Sequence, residues 1–444
     1  MVNFDVRKVL DTASEARNRY NHQQHIAFNF DPLWDMLFPF FYFVYGAARG
    51  LRYSFAFFAN STTPGAMQIP RSVYSLRQQL HQHPELSGAE AATAQCIRQF
   101  IEEHHPTEML TGLGGHGVAA VYPFSEDCPT IVIRCELDAL PIEEVNDFTY
   151  RSVHPGMSHK CGHDGHMAIV AGLIFWLKAQ SFKKGRVVLL FQPGEENGQG
   201  AQAILRDERF LSLHPDYVFA LHNLPGEPMH SLIVREGVFT ATVQSVAIRL
   251  EGKQAHASEP EHGTNPALAI AELVQAFAAL NRAETADPAF ALLTPVCIDM
   301  GERAYGISAG AGEVHYTLRT WTEEAMQELK DKLLALTAEI CQRHRLAFSS
   351  DWFDYFPATV NDKECYQLVR RVAERQERVL IERRTPLKFG EDFGWYSARY
   401  PSVLFGLGAG AGTPALHHHD YDFPDALLET GIGMFAGIIS ELLG

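Results

Sequence analysis

Arg186-Val187-Val188-Leu189-Leu190-Phe191 runs directly into Gln192-Pro193-Gly194-Glu195-Glu196-Asn197. A short, unbroken apolar run closed by Pro-Gly reads as a strand buried on both faces. Such strands belong to parallel sheets covered by helices. Two more runs have the same texture: Thr130-Ile131-Val132-Ile133-Arg134-Cys135 and Tyr217-Val218-Phe219-Ala220-Leu221. Helical periodicity covers 73–100, and a helix with a buried face is expected over 167–179. Strands alternating with helices predict an α/β fold, a mostly parallel sheet with helices on both faces.

Near residue 240 the texture shifts. Residues 243–250 alternate as a half-exposed strand should, an Ala-rich helix follows over 266–281, a second alternating strand covers 313–320, and 323–344 is helical. This predicts a smaller α+β unit over 240–354. Buried-strand texture returns after about 355, with Ser402-Val403-Leu404-Phe405 before a Gly-rich turn. The simplest arrangement is one α/β domain, 67–239 and 355–444, interrupted by the smaller unit.

The 444 residues exceed what one ordinary domain needs. A net charge of -16 leaves no Lys/Arg excess to neutralise phosphates, which argues against nucleic acid as a partner. Seven scattered cysteines read as reduced thiols in a cytoplasmic setting, and the N-terminus lacks the pattern of a secretory signal. Residues 1–66 look foreign to the rest. Their apolar stretch, 36–48, has 13 residues and contains Pro39, short of the roughly 20 that a spanning helix needs. Three readings stay open: weak membrane or partner contact through the aromatic-rich 33–58, an extension outside the working protein with Met67 as the natural start, or a membrane span.

Four groups carry candidate chemistry. In Cys161-Gly162-His163-Asp164-Gly165-His166 a thiol and an imidazole two residues apart lead into a helix, spacing that suits one metal ion or two adjacent ones; capping or surface histidines are the bland alternative. Glu195 and Glu196 follow a strand, so one could ligate a cation while the other serves as general base; a solvated acidic turn is the commoner meaning of such a pair. His222 ends a strand, and His417 opens His417-His418-His419-Asp420, which alone could be a surface tract. Their shared position persuades: each lies at or just beyond the C-terminal end of an expected buried strand, the edge where open α/β sheets gather ligands. Together Cys161, His163, Glu196, His222 and His417 suffice for two divalent ions, leaving Glu195 as the base.

From about Ser75 onward the sequence resembles the M20 metallopeptidase family in its amidohydrolase branch, which holds hippurate, indoleacetyl-amino-acid and aminobenzoyl-glutamate hydrolases and N-acetyl-amino-acid deacetylases. The resemblance rests on motifs in order: Leu80-His81-Gln82-His83-Pro84-Glu85, Leu137-Asp138-Ala139-Leu140-Pro141, the Cys161 motif, Pro193-Gly194-Glu195-Glu196, Gly252-Lys253-Gln254-Ala255-His256-Ala257-Ser258, Gly390-Glu391-Asp392-Phe393 and Leu416-His417. It implies a dinuclear amidohydrolase that cleaves N-acyl amino acids at the amide C–N bond with Zn, Mn, Co or Ni. Cys161 would bridge the ions, with His163, Glu196, His222 and His417 as the other ligands. Glu195 would be the base and Asp138 an acid behind the ligands. The resemblance makes 240–354 a lid and homodimer interface. His256 would then reach the partner subunit's site to steady the oxyanion, and Arg319 would hold the substrate carboxylate.

Two positions depart from the family pattern. Gly306-Ile307-Ser308-Ala309 stands where relatives carry Asn-Val-Ile-Pro, which removes an amide near the carboxylate site, and Glu136 replaces an aspartate. A dipeptidase or carboxypeptidase of the same family is the alternative, although peptidase branches usually place aspartate where Cys161 stands. A silent binding protein for acylated small molecules is a further alternative, disfavoured because no ligand or base is lost.

Overall fold

The computed structural model describes residues 69–125 and 129–444. The expected extension over 1–66, with its membrane or partner contact at 33–58, lies outside the described residues.

The chain opens with helices α1 (Arg71–Gln82) and α2 (Ala91–Glu102), then strands β1 (Glu108–Leu113), β2 (Gly117–Pro123) and β3 (Thr130–Glu136). Next come α3 (His163–Leu177), β4 (Arg186–Gln192), α4 (Gly200–Arg206), α5 (Glu208–Leu211), β5 (Tyr217–Leu224), β6 (Leu232–Val234) and β7 (Gly237–Val238). The middle holds β8 (Thr242–Glu251), β9 (Ala255–His256), α6 (Ala267–Ala278), β10 (Ala291–Met300), β11 (Ile307–Ser308), β12 (Ala311–Thr320), α7 (Glu323–His344) and β13 (Ala347–Phe356). The chain closes through β14 (Val360–Asn361), α8 (Lys363–Arg375), β15 (Leu380–Glu382), α9 (Gly394–Ser397), β16 (Ser402–Gly408) and α10 (Leu427–Leu443).

The main sheet has the order β1-β2-β4-β3-β5-β16-β6-β15. Its centre, β4-β3-β5-β16, is parallel throughout, and β2 joins it antiparallel. The unbroken apolar runs are explained by burial on both faces. On β4, Val187, Leu189 and Phe191 enter one core with α1, α2, α3, α8 and α10, while Val188 and Leu190 enter another with α4, α5 and α9.

A second sheet, β10-β12-β8-β13, is antiparallel and packs on α6 and α7 through Leu273, Phe277, Leu329, Leu333 and Ile340. Its strand β10 is an edge whose residues from Thr294 to Met300 are exposed. Among the described residues no helix is long and apolar enough to cross a membrane.

Several local expectations shift. The periodicity over 73–100 is two helices, because Pro84 and the positive-φ Gly88 interrupt it. Strand β8 is buried along most of its length rather than half exposed, since it lies inside the sheet between β12 and β13 and its Ser245 hydroxyl faces Thr317. Helix α3 begins at His163, four residues before the expected start, so the motif itself forms the first turn. Strands β1, β2, β10 and β13 were not singled out by pattern; β10 shows too little burial to leave one.

Two-sided burial makes a direct prediction. Leu189→Ala and Leu190→Ala, neighbours on opposite faces of β4, should each cost about 2–5 kcal/mol, measured by denaturant unfolding. A cost below about 1 kcal/mol for either would show that face to be open.

Candidate metal centre

The candidate ligands, with Glu195 and Asp138, gather at the C-terminal edge of the parallel strands. Asp138 follows β3, Glu195 and Glu196 follow β4, His222 lies within β5, and His417 follows β16. Cys161 and His163 arrive on the loop entering α3. Gly162 has φ 95°, and a Cβ there would sit 2.6 Å from the Asn223 side chain. A Cβ on Gly165 would come within 2.3 Å of the Phe423 ring. Glycine at these two positions lets the histidine-bearing turn press against its neighbours.

The ligand atoms form triplets that share members. Those of Cys161, His163 and His222 lie within 4.8 Å of one another, as do those of Cys161, Glu196 and His417, and of His163, Glu195 and Glu196. Cys161 Sγ is 3.4 Å from His222 Nε2. His163 Nε2 lies 3.9 Å from both Glu195 Oε2 and Glu196 Oε1, and His417 Nε2 lies 3.9 Å from Glu196 Oε2.

Outer contacts fix the imidazoles. His163 Nδ1 donates to the Asp138 carbonyl at 2.8 Å, and His222 Nδ1 donates to the Asn223 carbonyl at 2.9 Å. A carbonyl only accepts, so Nδ1 carries a proton on both rings and Nε2 is the atom turned toward the cluster, the arrangement typical of metal-bound histidine. The Asp138 carboxylate accepts from Ser87 Oγ at 2.6 Å and from the backbone N–H groups of Glu195 at 3.1 Å and Glu196 at 2.9 Å. Asp138 thus holds a histidine with its carbonyl and the acidic pair with its side chain.

The electrostatics fit a cation. Burial pushes the Glu195 carboxyl well above its usual range, aided by Glu391 and Glu196, and raises Glu196 to about 7. Burial alone would lower His163, yet Asp138, Glu136 and Glu196 lift it to about 10. Burial, with Glu196 and Glu195 beside it, raises the Cys161 thiol far above the ordinary range. Buried His163 Nε2 and Glu196 Oε1 have no hydrogen-bond partner. Divalent cations would bind these two atoms and stabilise the ionised carboxylates and the thiolate.

Glu136 and His166, which sequence reasoning gave no ligand role, belong to a buried lattice behind the cluster. The Arg134 guanidinium pairs with Glu136, with Glu391 at 3.1 Å and with Asp392 at 2.5 Å. Glu136 takes the Nδ1 proton of His166 at 2.7 Å, and the other nitrogen of His166 faces Asn223. The Asp392 N–H points at Glu195 Oε1 at 3.4 Å. The Gly390-Glu391-Asp392-Phe393 motif was the available signal, and it came without a role.

Two candidates lie apart from the cluster. His256 is exposed on β9, its Nδ1 accepting from Ser258. Arg319, half-buried on β12, donates to the Lys388 carbonyl at 2.6 Å, next to Phe389, whose ring is 5.6 Å from that of His222.

Known proteins are similar to this chain. An N-acetyl-L-cysteine deacetylase of Bacillus subtilis is 32% identical over 361 residues, covering 80% of this chain and 83% of that one. A hippurate hydrolase of Campylobacter jejuni is 26% identical over 382 residues, covering 86% and 99%. A Bacillus subtilis structure described as a dinuclear metal binding peptidase from the M20 family superposes with a TM-score of 0.71 at 27% identity, covering 84% and 98%. The model of peptidase family M20/M25/M40 matches residues 132–441, and this chain belongs to that family.

Proposed function

We propose that this protein is a metal-dependent amidohydrolase that cleaves the amide bond of N-acyl amino acids. One observation carries the reading: Cys161 belongs to two donor triplets, one with His163 and His222 and one with Glu196 and His417, with the Glu195 carboxylate beside them. Cys161 would lie between two ions, and Zn, Mn, Co and Ni all suit thiolate, imidazole and carboxylate donors. Divalent ions bound there supply Lewis acidity to a carbonyl and lower the pKa of water.

The chain's own residues supply the rest. Glu195 takes a proton from the attacking water and returns it to the leaving nitrogen. Asp138 holds the Glu195 and Glu196 backbone so that base and ligand keep their spacing. The 240–354 segment acts as a lid on hinges near 240 and 355 and as the dimer interface. Support for dimerisation comes from the β10 edge, which exposes Val296, Ile298 and Met300 and offers an unpaired ladder to a second copy. His256, exposed on β9, would then stabilise the oxyanion in the partner's site. Arg319 holds the substrate carboxylate. A Cβ on Gly306 would meet nothing within 4 Å, so the fold leaves room for the side chain that relatives carry there. The free thiols of Cys96, Cys135, Cys161, Cys297, Cys341 and Cys365 agree with a cytoplasmic setting.

Glu195→Gln should keep the bound metal and lower kcat by about 10²-fold or more, read by hydrolysis of N-acetyl amino acids and hippurate alongside metal analysis. Turnover at the wild-type level would remove Glu195 from the role of base. Faster cleavage of dipeptides than of acyl amino acids would favour the peptidase reading. A second test addresses the shared site. Glu195→Gln and His256→Ala proteins, each inactive alone, should regain activity when mixed and allowed to exchange subunits. No recovery in a mixture shown to contain heterodimers would place His256 in its own subunit's chemistry or outside catalysis.

A further inference from the structure

Lys160 precedes Cys161 and is fully buried, yet nothing in the proposed chemistry uses its charge. Its Nζ donates to Glu144 Oε1 at 2.6 Å and to the Tyr421 carbonyl at 2.8 Å. Its own carbonyl accepts the backbone N–H of His417 at 2.8 Å. One residue therefore grips both ends of the segment 417–421 and adjoins the thiol that both donor triplets share.

That segment needs holding. His417 has φ 64°, a left-handed conformation that a non-glycine residue keeps only when its surroundings enforce it. Its side chain is 52% exposed, so packing contributes little. Other ties are neutral: Val145 N–H to the His419 carbonyl at 3.2 Å, the Asn146 amide to the Asp420 carbonyl at 3.0 Å and the buried Asn223 amide to the Tyr421 hydroxyl at 2.5 Å. Among the described residues only the Lys160 tie is both charged and buried, and such hydrogen bonds are about twice as strong as neutral ones. Glu144 is itself anchored by His81 at 3.0 Å and by the Ser152 N–H at 2.7 Å, so the lysine pulls against a fixed point.

We propose that Lys160 is a positioning residue for His417, setting the affinity of the ion that His417 and Glu196 share with Cys161 and leaving the other ion largely untouched. The inference rests on the dinuclear reading above. Losing an outer partner of a metal ligand typically weakens binding 10–100-fold, and here the loss should fall on one ion of two.

The test is equilibrium dialysis of metal-free protein against buffered Zn²⁺, with metal per chain read by atomic emission. Wild type should bind two ions. Lys160→Met should keep one at wild-type affinity and bind the second at least about tenfold more weakly. Because Lys160→Met strands a buried Glu144, the double variant Lys160→Met/Glu144→Gln removes that charge while keeping an acceptor for His81, and it carries the test if the single variant does not fold. Weak second-ion binding in the double variant supports positioning by the lysine. Wild-type binding of both ions in the double variant would show that Lys160 only neutralises Glu144 and would overturn the proposal. Fewer than two ions on the wild type would instead overturn the dinuclear reading on which it rests.

Discussion

The structure depends on packing more negative charge behind one sheet edge than a buried pocket tolerates. Glu136, Asp138, Glu195, Glu391 and Asp392 are buried, with Glu196 only slightly exposed. Arg134, wholly enclosed, answers three of them. Burial, with Glu391 nearby, still raises Asp392 to about 8 and Glu196 to about 7, so one guanidinium does not balance the set. Isolated carboxylates are costly to bury. A cation where Cys161, His163 and Glu196 converge would supply the positive charge that this set calls for. The same imbalance explains why Glu195, buried and repelled by Glu391 and Glu196, suits proton transfer.

The scaffold makes the centre rigid. Its candidate donors, and Asp138 behind them, come from the ends of β3, β4, β5 and β16 and the first turn of α3, elements locked by two cores. Behind the histidines stand backbone carbonyls, which cannot change protonation state. Behind α3, Arg77 and His81 pair with Asp164 at 3.0 and 2.8 Å. His417 is the exception, reaching in from a loop with strained backbone, and so it depends on contacts made by neighbouring residues.

Much of this was legible in the sequence because the main sheet is covered on both sides, which leaves apolar runs too plain to misread. The C-terminal edge rule then gathered Cys161, His163, Glu195, Glu196, His222 and His417 before any geometry was known. What stayed hidden has physical reasons. Edge strand β10 buries little and so carries no pattern, and β8 reads as half exposed because Gln244 and Ser245 are polar although buried. Arg134, Glu136, His166 and Lys160 act through partners distant in sequence, such as Asp392, Asn223 and Tyr421, and no spacing rule connects them. Asp138 was expected behind the ligands, but its grip on the acidic pair's backbone appears only in three dimensions. The chain therefore shows its candidate donors in local motifs and their support only in the fold.

The central claim is that one thiol is common to two ions, and cobalt titration of the metal-free protein tests it most directly. The absorption of Co²⁺ bound to thiolate should grow through two equivalents per chain, and Cys161→Ser should abolish that absorption while the histidine and carboxylate donors remain. Saturation at a single equivalent, or two equivalents bound without any thiolate absorption, would contradict the account.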